Sequence, residues 1–259
     1  MKIYVISLKT QHDRRNFQEK QFKNLGLNFI FSNATSTKEI TSQFFEKHSK
    51  SWQRPLKITE VACYLSHRKL WQKISVANEP SIIMEDDVLI SKNFLDLVDA
   101  IKNKANCEYI NLENRGRKKF VSKTRIKIFK EYSLFRLYQD RTGAAGYVLW
   151  PSGAQKLLRL EKKYGFALAD AHITRCYSLN GFQVEPSPVI QSDMCAFYNL
   201  ELDCDKYFTS TVSSHYRPKG GIFFLLKKIK NQINLGIRIL FLKLICEKRY
   251  IALNKSNFK

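Results

Sequence analysis

The run Ile82-Ile83-Met84-Glu85-Asp86-Asp87-Val88 sets three adjacent carboxylates at the end of a short apolar segment that reads as a buried strand. Carboxylates at the rim of a core are costly unless a metal, a basic partner or solvent compensates their charge. In an open α/β sheet, the carboxyl ends of strands are also where ligands bind. The chain carries Lys+Arg 44 against Asp+Glu 23, so an acidic cluster here points to a divalent-metal site. A solvated acidic turn capping the next helix is the other possibility.

The elements that must position this cluster follow from pattern. Ile3 to Leu8 is a β-rich opening strand, followed by a polar turn carrying Asp13-Arg14-Arg15. The spacing of Phe17, Phe22 and Leu25 predicts a helix stopped by Gly26, and Phe29 to Phe31 a second strand. Strand, helix and strand make a βαβ unit and predict a parallel sheet. A helix is predicted from Thr59, as N-cap, to about Val76, with Val61, Ala62, Leu65, Leu70 and Ile74 as its apolar face. Further elements are a strand over Ser81 to Met84, a helix over Phe94 to Ile101 and a strand over Tyr109 to Leu112. Residues 113–130 are polar and basic, and read as a mobile loop or edge hairpin. A solvated basic surface is favoured there over a lid or acceptor-binding arm. Gly143 to Trp150 runs from small residues into a strand, and Pro151 starts a helix.

The chain has 259 residues, and its 44% hydrophobic and 13% aromatic content fit a globular protein and not a disordered one, while its net charge of +21 implies an anionic partner. Six cysteines without a C-x-x-C pair, and no signal-peptide pattern, predict reduced and mostly buried thiols with no zinc site. Cys63 is read as a core residue. From Gly220 to Ile245, residues Ile222, Leu226, Ile229, Ile233, Ile237, Leu240 and Leu244 share one helical stripe with lysines largely off it, and Glu247 is the only acid after Arg217. Such a segment fits an anionic membrane interface; a core-packing helix with a wet basic face is the alternative.

Three blocks together resemble glycosyltransferase family 25, the enzymes of bacterial lipooligosaccharide synthesis. They are Val5-Ile6-Ser7-Leu8 with Asp13-Arg14-Arg15; Glu60 to His67 with Trp71, leading to Glu85-Asp86-Asp87; and Gly143 to Leu158 with Ala169-Asp170 downstream. The likeness covers roughly residues 1 to 195. Ser7 stands where the family usually has Asn, and Trp150-Pro151 alters the third block.

The resemblance implies an α/β fold, a GT-A-like, Rossmann-type nucleotide-sugar-binding sheet flanked by helices over 1–210. The tail from Cys204 on carries none of the family's motifs, and the basic amphipathic, membrane-associating segment expected over 211–259 rests on its own stripe and charge. It implies inverting transfer of galactose or glucose from a UDP-sugar to a hydroxyl of a growing lipooligosaccharide core. A hard cation, Mn²⁺ or Mg²⁺, suits the carboxylates. Asp87 is the expected metal ligand, with Glu85 as a second, and Glu85 or Asp86 reaches ribose or a metal-bound water. Ser7, Arg14, Arg15, Ser66 and His67 are expected to meet the donor. Asp170 is the expected general base, or else the N-cap of a helix beginning at Ala171; Asp193 and Asp140 are alternatives. His172 is either a further metal or acceptor contact or a structural histidine. The partners implied are a UDP-hexose, a lipooligosaccharide acceptor and an anionic membrane at the cytoplasmic face of the inner membrane, with no nucleic acid. Two rivals are a metal-dependent nucleic-acid binder or nuclease, and a non-catalytic membrane scaffold.

Overall fold

Residues Ile3 to Ile6 of the first strand are all buried, and alternate sides of it enter two different cores. Tyr4 and Ile6 point toward one helical layer, Ile3 and Val5 toward the other. A strand covered on both faces reads as a continuous apolar run for this reason. The computed structural model describes residues 1–102, 104, 106–140, 143–200 and 220–258.

In chain order the elements are β1 (Lys2–Ser7), α1 (His12–Asn24), β2 (Ile30–Asn33), α2 (Ser42–Ser49), α3 (Ile58–Ser75), β3 (Ser81–Glu85), β4 (Val88–Ile90) and α4 (Phe94–Lys102). After these come β5 (Tyr109–Asn111), β6 (Lys119–Phe129), β7 (Tyr132–Gln139), β8 (Gly146–Leu149), α5 (Pro151–Tyr164) and α6 (Ala169–Arg175). The chain continues through β9 (Gly181–Glu185), β10 (Val189–Gln191), α7 (Cys195–Tyr198), α8 (Ile222–Ile245) and β11 (Glu247–Arg249). Nine strands form one sheet in the order β11-β6-β7-β9-β5-β8-β3-β1-β2, and β10 pairs with β4 apart from it.

The α/β architecture is the one the sequence implied, but the sheet is mixed. Strands β2, β1 and β3 run parallel, as the βαβ unit predicts. Strand β8 then inserts antiparallel between β3 and β5. The reason is connectivity: β8 enters after the β6–β7 hairpin, not through a crossover helix, and no parallel register is imposed on it.

Helices α2, α3, α5 and α6 cover one face around Tyr64, Trp71, Tyr147 and Leu157; α1 and α4 cover the other around Phe22, Phe94, Met84 and Val148. Helix α1 ends as predicted at Gly26, whose φ of +64° suits glycine alone at no cost. Helix α3 is capped by Lys57, not Thr59: Glu60 accepts from the Lys57 N–H at 2.8 Å, two residues earlier than the threonine suggests.

Residues 113–130, read as a loop or edge hairpin with a solvated surface, supply the long β6 arm of a hairpin, and β11 covers its outer side. Lys119, counted among the solvated charges, is fully enclosed. The expected division at residue 210 lies outside the described residues, as does Cys204. Cys107, Cys176, Cys195 and Cys246 are buried free cysteines, and Cys63 is half-buried.

Helix α8 docks through Leu242 and Ile239 on Phe120, and through Arg238, which donates to the Tyr138 carbonyl at 2.8 Å. The stripe named from sequence points the other way. Ile222 is 77% exposed and Leu244 78%, so this stripe is not the core-facing side. After α8 the chain rejoins the sheet, with Ile251 and Phe258 buried.

Candidate active site

Strands β1 and β3 end together, and their carboxyl ends open into a cleft of about 610 Å³. A cleft at the ends of parallel strands is where an α/β sheet leaves backbone and side chains free for a ligand. Ser7, Arg14, Ser66, His67, Asp170 and the Glu85-Asp86-Asp87 run all line it.

The three acids face three different environments. Asp86 is buried and accepts from Arg14 Nη1 at 2.8 Å, so its charge is matched by a buried guanidinium. Glu85 Oε1 accepts from His67 Nε2 at 3.2 Å, and its Oε2 from Gln191 Nε2 at 3.1 Å. The same Gln191 nitrogen donates to Asp87 Oδ1 at 3.2 Å. Asp87 stands 4.0 Å from Arg14, a cation already paired with Asp86. Burial, followed by the charge of Glu85, pushes the Asp87 carboxyl up to about 7. Two carboxylates turned toward one neutral amide, with their local cation engaged elsewhere, are an under-compensated negative site. All-oxygen donors of this kind fit a hard divalent cation, and Glu85 and Asp87 are the residues that would hold it.

A buried relay fixes Glu85. Trp71 Nε1 donates to the Tyr147 hydroxyl at 2.9 Å, and that hydroxyl lies 3.0 Å from His67 Nδ1. With the phenol oxygen accepting from Trp71, its own hydrogen goes to Nδ1. His67 then carries its proton on Nε2 and donates to Glu85.

Other expected residues take structural parts. Ser66 Oγ accepts from the Thr35 N–H at 2.9 Å and donates to the Ala62 carbonyl at 2.8 Å, pinning the loop after β2 to α3. Arg15, expected at the donor, instead donates to Asn33 Oδ1 at 2.8 Å and to the Leu8 carbonyl at 3.2 Å, and lies over the Phe31 ring. Its fork ties β1 to β2 and does not line the cleft. Ser7 lines the cleft with its hydroxyl bonded to the Leu8 carbonyl at 3.3 Å.

Asp170 is not an N-cap, because α6 begins at Ala169 with Leu168 in that position. Its carboxylate accepts from the Ala171 N–H at 2.6 Å. Burial is the largest influence on it and raises it above the usual carboxylate range. The two alternatives to Asp170 lie elsewhere. Asp140 is enclosed against Lys119 at 2.7 Å, and Asp193 is an exposed partner of Arg115. Neither lines the cleft.

His172 is structural. Its Nε2 donates to the Leu157 carbonyl at 3.0 Å, and its ring stacks on Trp71. Burial lowers it to about 4 from 6.5. The unfolded chain therefore takes up a proton between those values while the native one does not. Stability is full above about pH 6.5 and falls by about 3 kcal/mol as the pH drops to about 4. Urea melts across this range should show that slope, and His172→Gln should flatten it.

Several participants escaped the sequence. Gln191 is a single glutamine at the end of a short strand, and nothing local marks it. Arg115 holds the Gln191 Oε1 and pairs with Asp193 at 2.8 Å; within a basic run it looked like solvated charge. Cys63, expected in the core, lines the cleft. Glu113 is fully buried, and burial pushes its carboxyl up to about 8. Its Oε2 accepts from the Ala145 N–H at 3.0 Å, and the Ala145 carbonyl accepts from the Glu85 N–H at 2.9 Å. A Cβ on Gly143, at φ +109°, would sit 2.6 Å from the same Glu113 oxygen. Only glycine lets this acid support the wall of the cleft from behind.

The family model described as Glycosyltransferase family 25 (LPS biosynthesis protein) matches residues 1–173. Lipooligosaccharide biosynthesis protein lic2B of Haemophilus influenzae is 29% identical over 230 residues, 80% of this chain and 84% of that protein. A putative glycosyltransferase of H. influenzae is 28% identical over 163 residues, 61% of this chain and 57% of its own. Procollagen galactosyltransferase 1-B of Xenopus laevis is 26% identical over 179 residues, 61% of this chain but 28% of that longer protein. With the family's motifs converging on one cleft at the strand ends, the chain belongs to glycosyltransferase family 25.

Proposed function

We propose that this glycosyltransferase moves a hexose, galactose or glucose, from a UDP-sugar to a sugar hydroxyl of a growing lipooligosaccharide core, with inversion at the anomeric carbon. The observation that carries the reading is the pair Glu85 and Asp87, held toward one Gln191 amide at the end of β3. Mn²⁺ or Mg²⁺ bound there would neutralise charge developing on the departing diphosphate. Arg117 lines the same cleft and adds positive charge for the phosphates. Arg14 fixes Asp86 in place through their 2.8 Å ion pair.

Inversion needs one displacement. The acceptor oxygen bonds to the anomeric carbon as the bond to UDP breaks, and a base takes the hydroxyl proton. Asp170 is the cleft carboxylate for that task, its raised pKa bringing it nearer working pH than an ordinary aspartate. Water is excluded on one side by the relay of Trp71, Tyr147 and His67, all fully buried.

The reading is tested by thermal unfolding and UDP release with a panel of UDP-sugars, with and without Mn²⁺. A UDP-hexose should raise the melting temperature only with metal and should release UDP when an acceptor glycan is added. Metal-independent, salt-sensitive stabilisation by single-stranded DNA, with no response to any UDP-sugar, would overturn it in favour of a nucleic-acid protein.

The acceptor is lipid-linked in this proposal, and α8 supports placing the enzyme at the cytoplasmic face of an inner membrane. Among the described residues no helix is long and apolar enough to cross a membrane. The outward stripe of α8, with Lys227, Lys228 and Lys230 beside it, suits a helix lying in an anionic interface. Replacing Ile233, Ile237 and Leu240 together by serine should abolish sedimentation with anionic vesicles while leaving turnover on a soluble acceptor. Unchanged vesicle binding would contradict this.

A further inference from the structure

The transfer reaction leaves the Cys63 thiol without a task, although it lines the cleft beside the acids. Cys63 and His67 lie four residues apart on α3 and so share a helix face. The end of β3 brings Glu85 against them. Cys63 Sγ, a His67 ring nitrogen and a Glu85 carboxylate oxygen all lie within 4.8 Å of one another, and His67 Nε2 is the nitrogen that faces Glu85, at 3.2 Å. The donors around a tetrahedral zinc stand roughly 3.3–3.8 Å apart, given bond lengths of about 2.0–2.3 Å. Small rotations close this set, and the cleft leaves a fourth position to water. The Tyr147 hydroxyl at His67 Nδ1 is the outer hydrogen-bond partner that metal-binding histidines use to fix ring orientation. Spacing along the chain hides the trio, because its third member comes from a separate strand.

We propose that Cys63, His67 and Glu85 form a second cation site, for a thiophilic divalent ion such as Zn²⁺ or Cd²⁺. On binding, the thiol releases its proton to solvent. His67 shifts its hydrogen from Nε2 to Nδ1, and the Tyr147 hydroxyl turns its own hydrogen away from Nδ1 so that its oxygen accepts there, so one proton, that of the thiol, leaves in all. Sulfur and imidazole select a softer ion than the oxygens of Glu85 and Asp87 do. Glu85 is common to both sets, so a thiophilic ion displaces the hard one and inhibits transfer. The site itself stands apart from the transfer reading; only its inhibitory consequence rests on it.

Cd²⁺ titrated into metal-free protein should develop the ultraviolet thiolate-to-cadmium band, saturating near one equivalent. Cys63→Ser and Cys63→Ala should each lose this band, His67→Gln should weaken the binding by at least about tenfold, since even an outer-shell partner of a ligand is worth about 10–100-fold, and Asp87→Asn should keep the band. No band in the wild type, or a band that survives both Cys63 variants, overturns the proposal without reference to transferase activity. In the UDP-release assay the inhibitory Zn²⁺ concentration should rise at least about tenfold in Cys63→Ser. An unchanged value overturns the inhibitory role alone.

Discussion

Asp87→Asn is expected to lower turnover by about 10³-fold or more while the protein stays folded. A bound cation contributes several kcal/mol of charge stabilisation in the transition state, and each 1.36 kcal/mol is tenfold in rate. The substitution keeps the side chain's shape and an oxygen to accept from Gln191, so what is lost is the charge. Stability should move the other way. Burial and Glu85 raise the Asp87 carboxyl to about 7 from 3.8, so the native state holds a proton that the unfolded chain has lost. Stability conferred by the neutral form is present below about pH 4 and is lost as the pH rises through about 7. Asparagine removes that slope, so the variant should melt no lower than wild type at pH 8. Steady-state UDP release with a calorimetric scan checks both. Retained turnover, or a lower melting temperature at pH 8, would count against a cation-binding acid here.

Lys119→Met carries the largest expected loss of stability, about 3–5 kcal/mol. Lys119 and Asp140 are enclosed with side-chain exposures of 2% and 3%, and their charges meet at 2.7 Å. Lys119 Nζ also donates to the Gln183 Oε1 at 2.7 Å and the Glu113 carbonyl at 3.0 Å. Methionine fills the space but removes the ammonium that meets the Asp140 carboxylate at 2.7 Å, and the loss of that buried ion pair accounts for most of the destabilisation. The double variant Lys119→Met, Asp140→Leu should therefore recover much of the loss. Urea melts of the two singles and the double decide it. A single variant within about 1 kcal/mol of wild type would mean the pair is solvated in solution.

What could be read from the chain tracks the range of the interactions. The buried strands β1 and β3, helix α1 with its Gly26 stop and the apolar stripe of α8 are local patterns, and the sequence carries them at the right places. The acid run at the end of β3 is legible because three carboxylates after Ile82-Ile83-Met84 break a local rule about buried charge. The cleft's remaining features come from residues far apart. Gln191 reaches Glu85 across 106 positions, and Arg14 reaches Asp86 across 72. Composition around either residue gives no sign of its partner. The basic run after Glu113 misled because charge count does not reveal direction: Lys119 turns inward to Asp140, and Arg115 braces Gln191. Antiparallel β8 was equally hidden, since a strand's direction depends on its connection and not on its own residues.

The proposed mechanism turns on Glu85 and Asp87 holding a divalent cation beneath a diphosphate. Anomalous scattering at the manganese edge, from crystals grown with Mn²⁺ and UDP, addresses this without intermediaries. One strong peak is expected within coordination distance of a Glu85 or Asp87 oxygen and of a diphosphate oxygen. A peak elsewhere, or UDP seated in the cleft with the Gln191 amide still joined to both acids and no manganese beside them, would contradict it.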